Sequence, residues 1–166
     1  MGQEEDTMGG RSISRRAGLI GSLVCATLIG ARVAPARAQS GDVIQSQDTN
    51  FGGIVGEITQ VKRKDGVLTI KLRLRNTSSE AANLKLINSS DYDSYYVTAA
   101  DKKYFVLRDT EEVPLAPKSS GDFWVEIAKD GAYTWWAKYP APPAEVTSVT
   151  YYTPLAAPFE DLPITD

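Results

Sequence analysis

Two pairs of carboxylates, Asp91 with Asp93 and Glu111 with Glu112, are the groups of this chain that could be drawn as metal ligands or as a general acid and base. A calcium loop needs several oxygen donors at spaced positions and a glycine at its bend, and neither pair has that arrangement. Both pairs lie among turn-forming residues, where acids are ordinarily solvated. The sequence contains no histidine, so the commonest general base at neutral pH and the commonest transition-metal ligand are both missing. No Ser-x-x-Lys motif follows position 38, and a serine without a neighbouring base is a weak nucleophile. The expectation is a chain that is not an enzyme, with no catalytic, cofactor-binding or metal residue.

The aromatic residues stand out more. Trp124, Tyr133, Trp135, Trp136, Tyr139, Tyr151 and Tyr152 all fall in the last third. Adjacent residues in a strand point to opposite faces, so of Trp135 and Trp136 one belongs to a core and the other to a surface or to a lid formed with the nearby prolines. Trp135, Trp136 and Tyr139 form the candidate interaction surface, where an aromatic could stack on a sugar ring or anchor a protein partner.

The elements that must position these residues are strands. Leu68, Ile70, Leu72 and Leu74 alternate with Thr69, Lys71, Arg73 and Arg75, a strict period of two that no helix explains. Ile54 to Lys64 reads as its hairpin partner across the turn signal Asp65-Gly66. Further strands are expected over Ala82 to Ile87, Tyr95 to Thr98, Tyr104 to Leu107, Asp122 to Ala128, Tyr133 to Tyr139 and Val146 to Tyr152. Pro140, Pro142 and Pro143 are expected to end pairing, and Pro154, Pro158 and Pro163 to mark an irregular tail. Seven or eight short strands with turn signals about every ten residues predict an all-β fold, an immunoglobulin-like antiparallel β-sandwich over 54–166. Residues 39–53, polar and glycine-rich, are expected to be a flexible leader.

The N-terminal 38 residues have a different character. Arg15 and Arg16 directly precede an uncharged apolar run from Ala17 to Ala31, about 15 residues, which is too short to span a bilayer core of roughly 30 Å. Ala36-Arg37-Ala38 supplies small residues where a signal peptidase reads, so cleavage after Ala38 is expected. The segment resembles twin-arginine signal peptides in Ser14-Arg15-Arg16, in its glycine-containing apolar run, and in Arg32 and Arg37 near the cleavage site. Leu19 lies three places after the pair rather than two, which keeps the general-secretion route open. Cys25, the only cysteine, follows Ser22-Leu23-Val24 and lacks the small residue a lipoprotein signal places beside it. The export reading implies a periplasmic or secreted protein with no stable membrane span after processing.

After position 38 come 13 of the 18 basic and 18 of the 21 acidic residues, a formal charge of −5. That balance argues against a nucleic-acid partner unless the charges are strongly segregated. Lys62 to Lys64, Arg73 with Arg75, and Lys102 with Lys103 are expected on solvated outward faces or turns, where lysines discourage edge-to-edge aggregation.

From about residue 54 onward the chain resembles bacterial immunoglobulin-like extracellular domains grouped with the DUF4352 and telokin-like families, which include a secreted mycobacterial antigen. The resemblance rests on Leu74-Arg75-Asn76-Thr77-Ser78, on Tyr104-Phe105-Val106-Leu107-Arg108-Asp109, and on a proline-containing connection before Phe123-Trp124-Val125-Glu126-Ile127. It implies a non-catalytic domain outside the cytoplasm and transfers no site motif. The expected function is that of a binding or interaction module of the cell envelope with a protein or glycan partner. A structural subunit of an envelope complex and a small-molecule or glycan carrier are the alternatives, and a carrier would need an apolar pocket lined by tryptophans.

Overall fold

The computed structural model describes residues 42–166, and the expected export residues Arg15, Arg16, Ala36 and Ala38 lie outside them. The described residues form ten strands and no helix: β1 (Gln45–Asp48), β2 (Ile54–Lys64), β3 (Val67–Asn76), β4 (Ala82–Ile87), β5 (Tyr96–Ala99), β6 (Lys102–Phe105), β7 (Phe123–Ile127), β8 (Ala132–Pro140), β9 (Ser148–Thr153) and β10 (Ala156–Pro163). All named strand pairs are antiparallel, in sheets ordered β1-β2-β3-β8, β10-β9-β5-β6 and β4-β7. This is an all-β sandwich, not a closed barrel.

The hairpin β2-β3 is the frame. Asp65 and Gly66 both take positive φ, 49° and 77°, as a two-residue turn matched to the twist of its strands requires. From there the register runs without a break from Lys64↔Val67 to Gln60↔Lys71, and a bulge at Thr59 resets it to Ile58↔Leu72. Leu68, Ile70, Leu72 and Leu74 all point inward and are buried. Full burial of such a side chain contributes about 1.5–3 kcal/mol, so this row alone fixes which face of the sheet is dry.

β8 continues the sheet in phase, with Leu72↔Trp135, Ile70↔Ala137 and Leu68↔Tyr139. The opposing sheet supplies Val97, Val149, Tyr151, Phe159 and Leu162 to the same core. The short pair β4-β7 adds Leu84, Leu86 and Ile127. Asn76, buried at the end of β3, donates to the carbonyls of Glu80 (2.7 Å) and Ile127 (3.0 Å) and accepts from Ser78 N. It thereby pins the turn that the sequence marked after β3.

Three expectations need correction. The strands number ten, not seven or eight, because both ends of the described segment pair. The leader expected over 39–53 contains β1, which lies on the edge of β2 from Gln45↔Ile58 to Asp48↔Val55. The proline-rich tail contains β10, in which Phe159 and Leu162 are buried opposite Tyr151 and Val149. Its prolines are tolerated because β10 is an edge strand, where a missing N–H breaks no ladder on the solvent side. Pro140 likewise pairs with Val67 at the end of β8.

The two ends also meet each other. Thr49 bridges to Ala156, Asn50 N donates to Leu155 O (2.7 Å), and the Gln47 amide donates to Ala157 O. Beyond β10, Thr165 crosses to the first sheet, where its N–H donates to Val61 O (2.9 Å) and its carbonyl accepts from Arg63 N (2.7 Å). The Arg63 guanidinium then holds Asp166 (2.7 Å) and donates to Pro143 O and Val146 O.

Candidate functional surfaces

The expected interaction surface divides between inside and outside. Trp135 and Tyr139 are fully buried and belong to the core, while Trp136 is 37 % exposed on the outer face. The cause is phase: Trp135 and Tyr139 share the inward register of Leu72 and Leu68, whereas Trp136 lies opposite Lys71. Trp135 stacks on Tyr95 at 4.6 Å between centroids, and Tyr139 meets Tyr151 edge-on at 6.3 Å. Tyr95 donates its hydroxyl to Leu86 O. Trp135 Nε1, Tyr139 Oη and Tyr151 Oη are buried without a hydrogen-bond partner. Burial pushes the Tyr139 and Tyr151 phenols up, so they stay neutral in the folded chain. These residues are structural.

The outer face of β1-β2-β3-β8 carries cations. Cross-strand partners share a face, so Lys62 and Lys64 of β2, opposite Thr69 and Val67, share this face with Lys71, Arg73 and Arg75 of β3 and with Lys138 of β8, opposite Thr69. Glu57 lies among them, its carboxylate accepting from Arg73 Nε (2.6 Å) and Arg75 Nε (2.9 Å). Burial by itself would raise the Glu57 carboxyl, and the hydrogen bonds and charges of the two arginines outweigh it, holding the group below the ordinary carboxylate range.

The outer face of β10-β9-β5-β6 is different in kind. Tyr96 and Tyr152 are cross-strand partners whose rings stack at 4.5 Å, and Phe105, the other partner of Tyr96, is 46 % exposed. Lys103 Nζ lies 4.4 Å from the Tyr96 ring centroid, within reach of a cation–π contact. Beside these rings is an open pocket of about 480 Å³ whose lining includes Thr98, Thr150, Ser148, Lys102, Lys103 and Asp161. Aromatic faces next to hydroxyls and charges can hold a ligand by stacking and hydrogen bonding together. The sequence carried a signal for this face in the alternation Tyr96-Val97-Thr98 and Thr150-Tyr151-Tyr152. Only the register joins them.

The remaining candidates do not assemble. Asp91 accepts from Asp93 N in a local turn, and Asp109, not Glu111 or Glu112, organises its loop by accepting from Glu111 N and Val113 N. Among the described residues no group of three or more possible ligands could hold a metal ion. Trp124, 57 % exposed on β7, lies opposite Lys85, whose Nζ is 5.0 Å from the ring and 2.7 Å from Asp122. No described helix is long and apolar enough to cross a membrane. Compared with known proteins, the chain matches no family model, no curated protein and no solved structure.

Proposed function

We propose that this chain is an exported, non-catalytic binding module of the bacterial cell envelope, and that the aromatic face of β5, β6 and β9 is where it takes its glycan or protein partner. The observation that carries the reading is Phe105, a large apolar side chain held in solvent beside the Tyr96–Tyr152 stack, on the strand pair whose turn end opens into a pocket lined by Thr98, Thr150 and Lys103. Rings on a sheet face are positioned by paired backbone, so a ligand that stacks there meets little ordering cost. The signal-like segment ending at Ala38 and the resemblance to bacterial immunoglobulin-like extracellular domains support export. This pocket is lined by none of the tryptophans, so it is not the apolar cavity that the carrier alternative calls for.

Calorimetric titration of the purified chain with solubilised envelope polysaccharides and peptidoglycan fragments tests this. Binding is expected, and Phe105→Ala should weaken it about tenfold, in the range of one lost aromatic anchor. Binding unchanged by Phe105→Ala and by Tyr152→Ala would remove the assignment to this face.

A further inference from the structure

The outer face of β1-β2-β3-β8 is a second surface, and its charge is the reverse of the chain's. Six of the 13 basic residues that follow position 38 lie on it, Lys62, Lys64, Lys71, Arg73, Arg75 and Lys138, against two of the 18 acids, Glu57 and Asp48. The face is therefore formally +4 on a chain that is −5 over the same residues, so the remainder is −9. Segregation of that size is the condition under which an acidic protein can still bind a polyanion.

The arrangement has a direction. Lys71, Arg73 and Arg75 are alternate residues of one strand, so their side chains repeat about every 6–7 Å along it. Lys62 and Lys64 on β2 carry the positive charge on toward the hairpin turn, opposite Thr69 and Val67, and Lys138 on β8 stands on the other side of Thr69. Glu57, although acidic, is nearly inaccessible, and it reaches each arginine at Nε. It holds the two guanidiniums in place, leaving the Arg75 side chain 44 % exposed and that of Arg73 19 % exposed. Trp136 lies directly across from Lys71 and two residues from Lys138, half-exposed among cations.

We infer that this face binds a linear acidic polysaccharide laid along the strands, its carboxylate, sulfate or phosphate groups meeting the rows of Lys and Arg and one sugar ring stacking on Trp136. A polymer with a charge on each repeat matches cations in rows, and a sugar face matches a lone indole. A membrane surface would call for several protruding apolar side chains, and a single-stranded nucleic acid for successive stacking aromatics. The face has one aromatic. This site is separate from the aromatic face of β5, β6 and β9 and does not depend on it.

The probes are polygalacturonate, neutral dextran, vesicles rich in phosphatidylglycerol, and single-stranded DNA, each titrated into the full chain at low and at physiological salt. Polygalacturonate is expected to bind and dextran not to bind. Affinity should fall about tenfold or more between roughly 50 and 200 mM salt, as contacts between exposed charges are screened. The double variant Lys71→Glu with Lys138→Glu should lose at least about tenfold, and Trp136→Ala about fivefold. Lys102→Glu with Lys103→Glu on the opposite sheet, and Phe105→Ala, should leave the affinity within about twofold. No polygalacturonate binding at low salt, equal loss from the Lys102/Lys103 variant, or tighter binding of vesicles or DNA would each overturn the inference.

Discussion

Trp135 and Trp136 are adjacent in one strand and have opposite fates, and the two surfaces of the sheet that carries them differ in the same way. The inner surface is apolar and closely packed, with Trp135 on Tyr95 and Leu72 alongside. The outer surface is rich in cations, two of them held on Glu57, with Trp136 exposed across from Lys71. The same residue type is thus packed in the core on one side and left in solvent on the other. What decides between them is a one-residue shift of phase, set by the β3 register.

Truncating both tryptophans is the sharpest way to break this contrast. Trp135→Ala should lower the unfolding free energy by about 3–5 kcal/mol, the cost of a large buried aromatic, and Trp136→Ala by no more than about 0.5 kcal/mol. Urea denaturation of the two variants measures both, and equal losses would mean that the inner and outer assignments are wrong.

Glu57→Gln tests whether the outer face has an organised centre or merely exposed charges. Removing the carboxylate leaves Arg73 and Arg75 side by side without their anion, and a loss of about 1–2 kcal/mol is expected, since the pair is only partly buried. The sign with pH follows from the lowered carboxyl. A group held below its unfolded value of about 4.5 contributes fully above that value and loses its contribution as pH falls through the folded one. The parent should therefore show an acid limb below about pH 4.5 that is shallower in the variant. Identical limbs would reduce Glu57 to a surface acid.

The smallest effect should come from Tyr151→Phe on the inner side. Its hydroxyl is buried near Tyr139 Oη and Trp135 Nε1 without a hydrogen bond of good geometry, so removing it should cost nothing and could raise stability by up to about 1 kcal/mol. A clear destabilisation would show that the hydroxyl does find a partner in the folded protein.

Much of this architecture could be read from residue order. The β2-β3 hairpin declares itself through Asp65-Gly66 and four alternating leucine-type positions, and β4 and β8 through the same period. β1 could not be read, because Gln-Ser-Gln-Asp has no apolar residue to show a period, and its pairing with β2 is a backbone ladder. β10 was hidden for another reason. Two bulges put three of its residues against two of β9, so Phe159 and Leu162 are three apart and the period of two is lost. Of the surfaces, the row Lys71, Arg73, Arg75 was visible, but its neighbours Lys62, Lys64 and Lys138 join it only through strand pairing. Phe105, Tyr96 and Tyr152 come from three strands, and no local pattern brings them together.

The meeting of the two ends governs the order of assembly. β1 needs Ala156 and Ala157, and Arg63 needs Asp166, so contacts spanning more than 100 residues seal one side of the sandwich. Such closures are slow to form, because the intervening loop must be ordered first. A chain still emerging from the ribosome can build the β2-β3 hairpin early and lay β1 beside it, but the Val61–Arg63 stretch of the β2 edge stays bare until Thr165 has been made. The long-lived hazard is therefore a chain that has its hairpin but not this closure, with a bare stretch of strand edge, and any factor that guards this protein during synthesis should act at that stage.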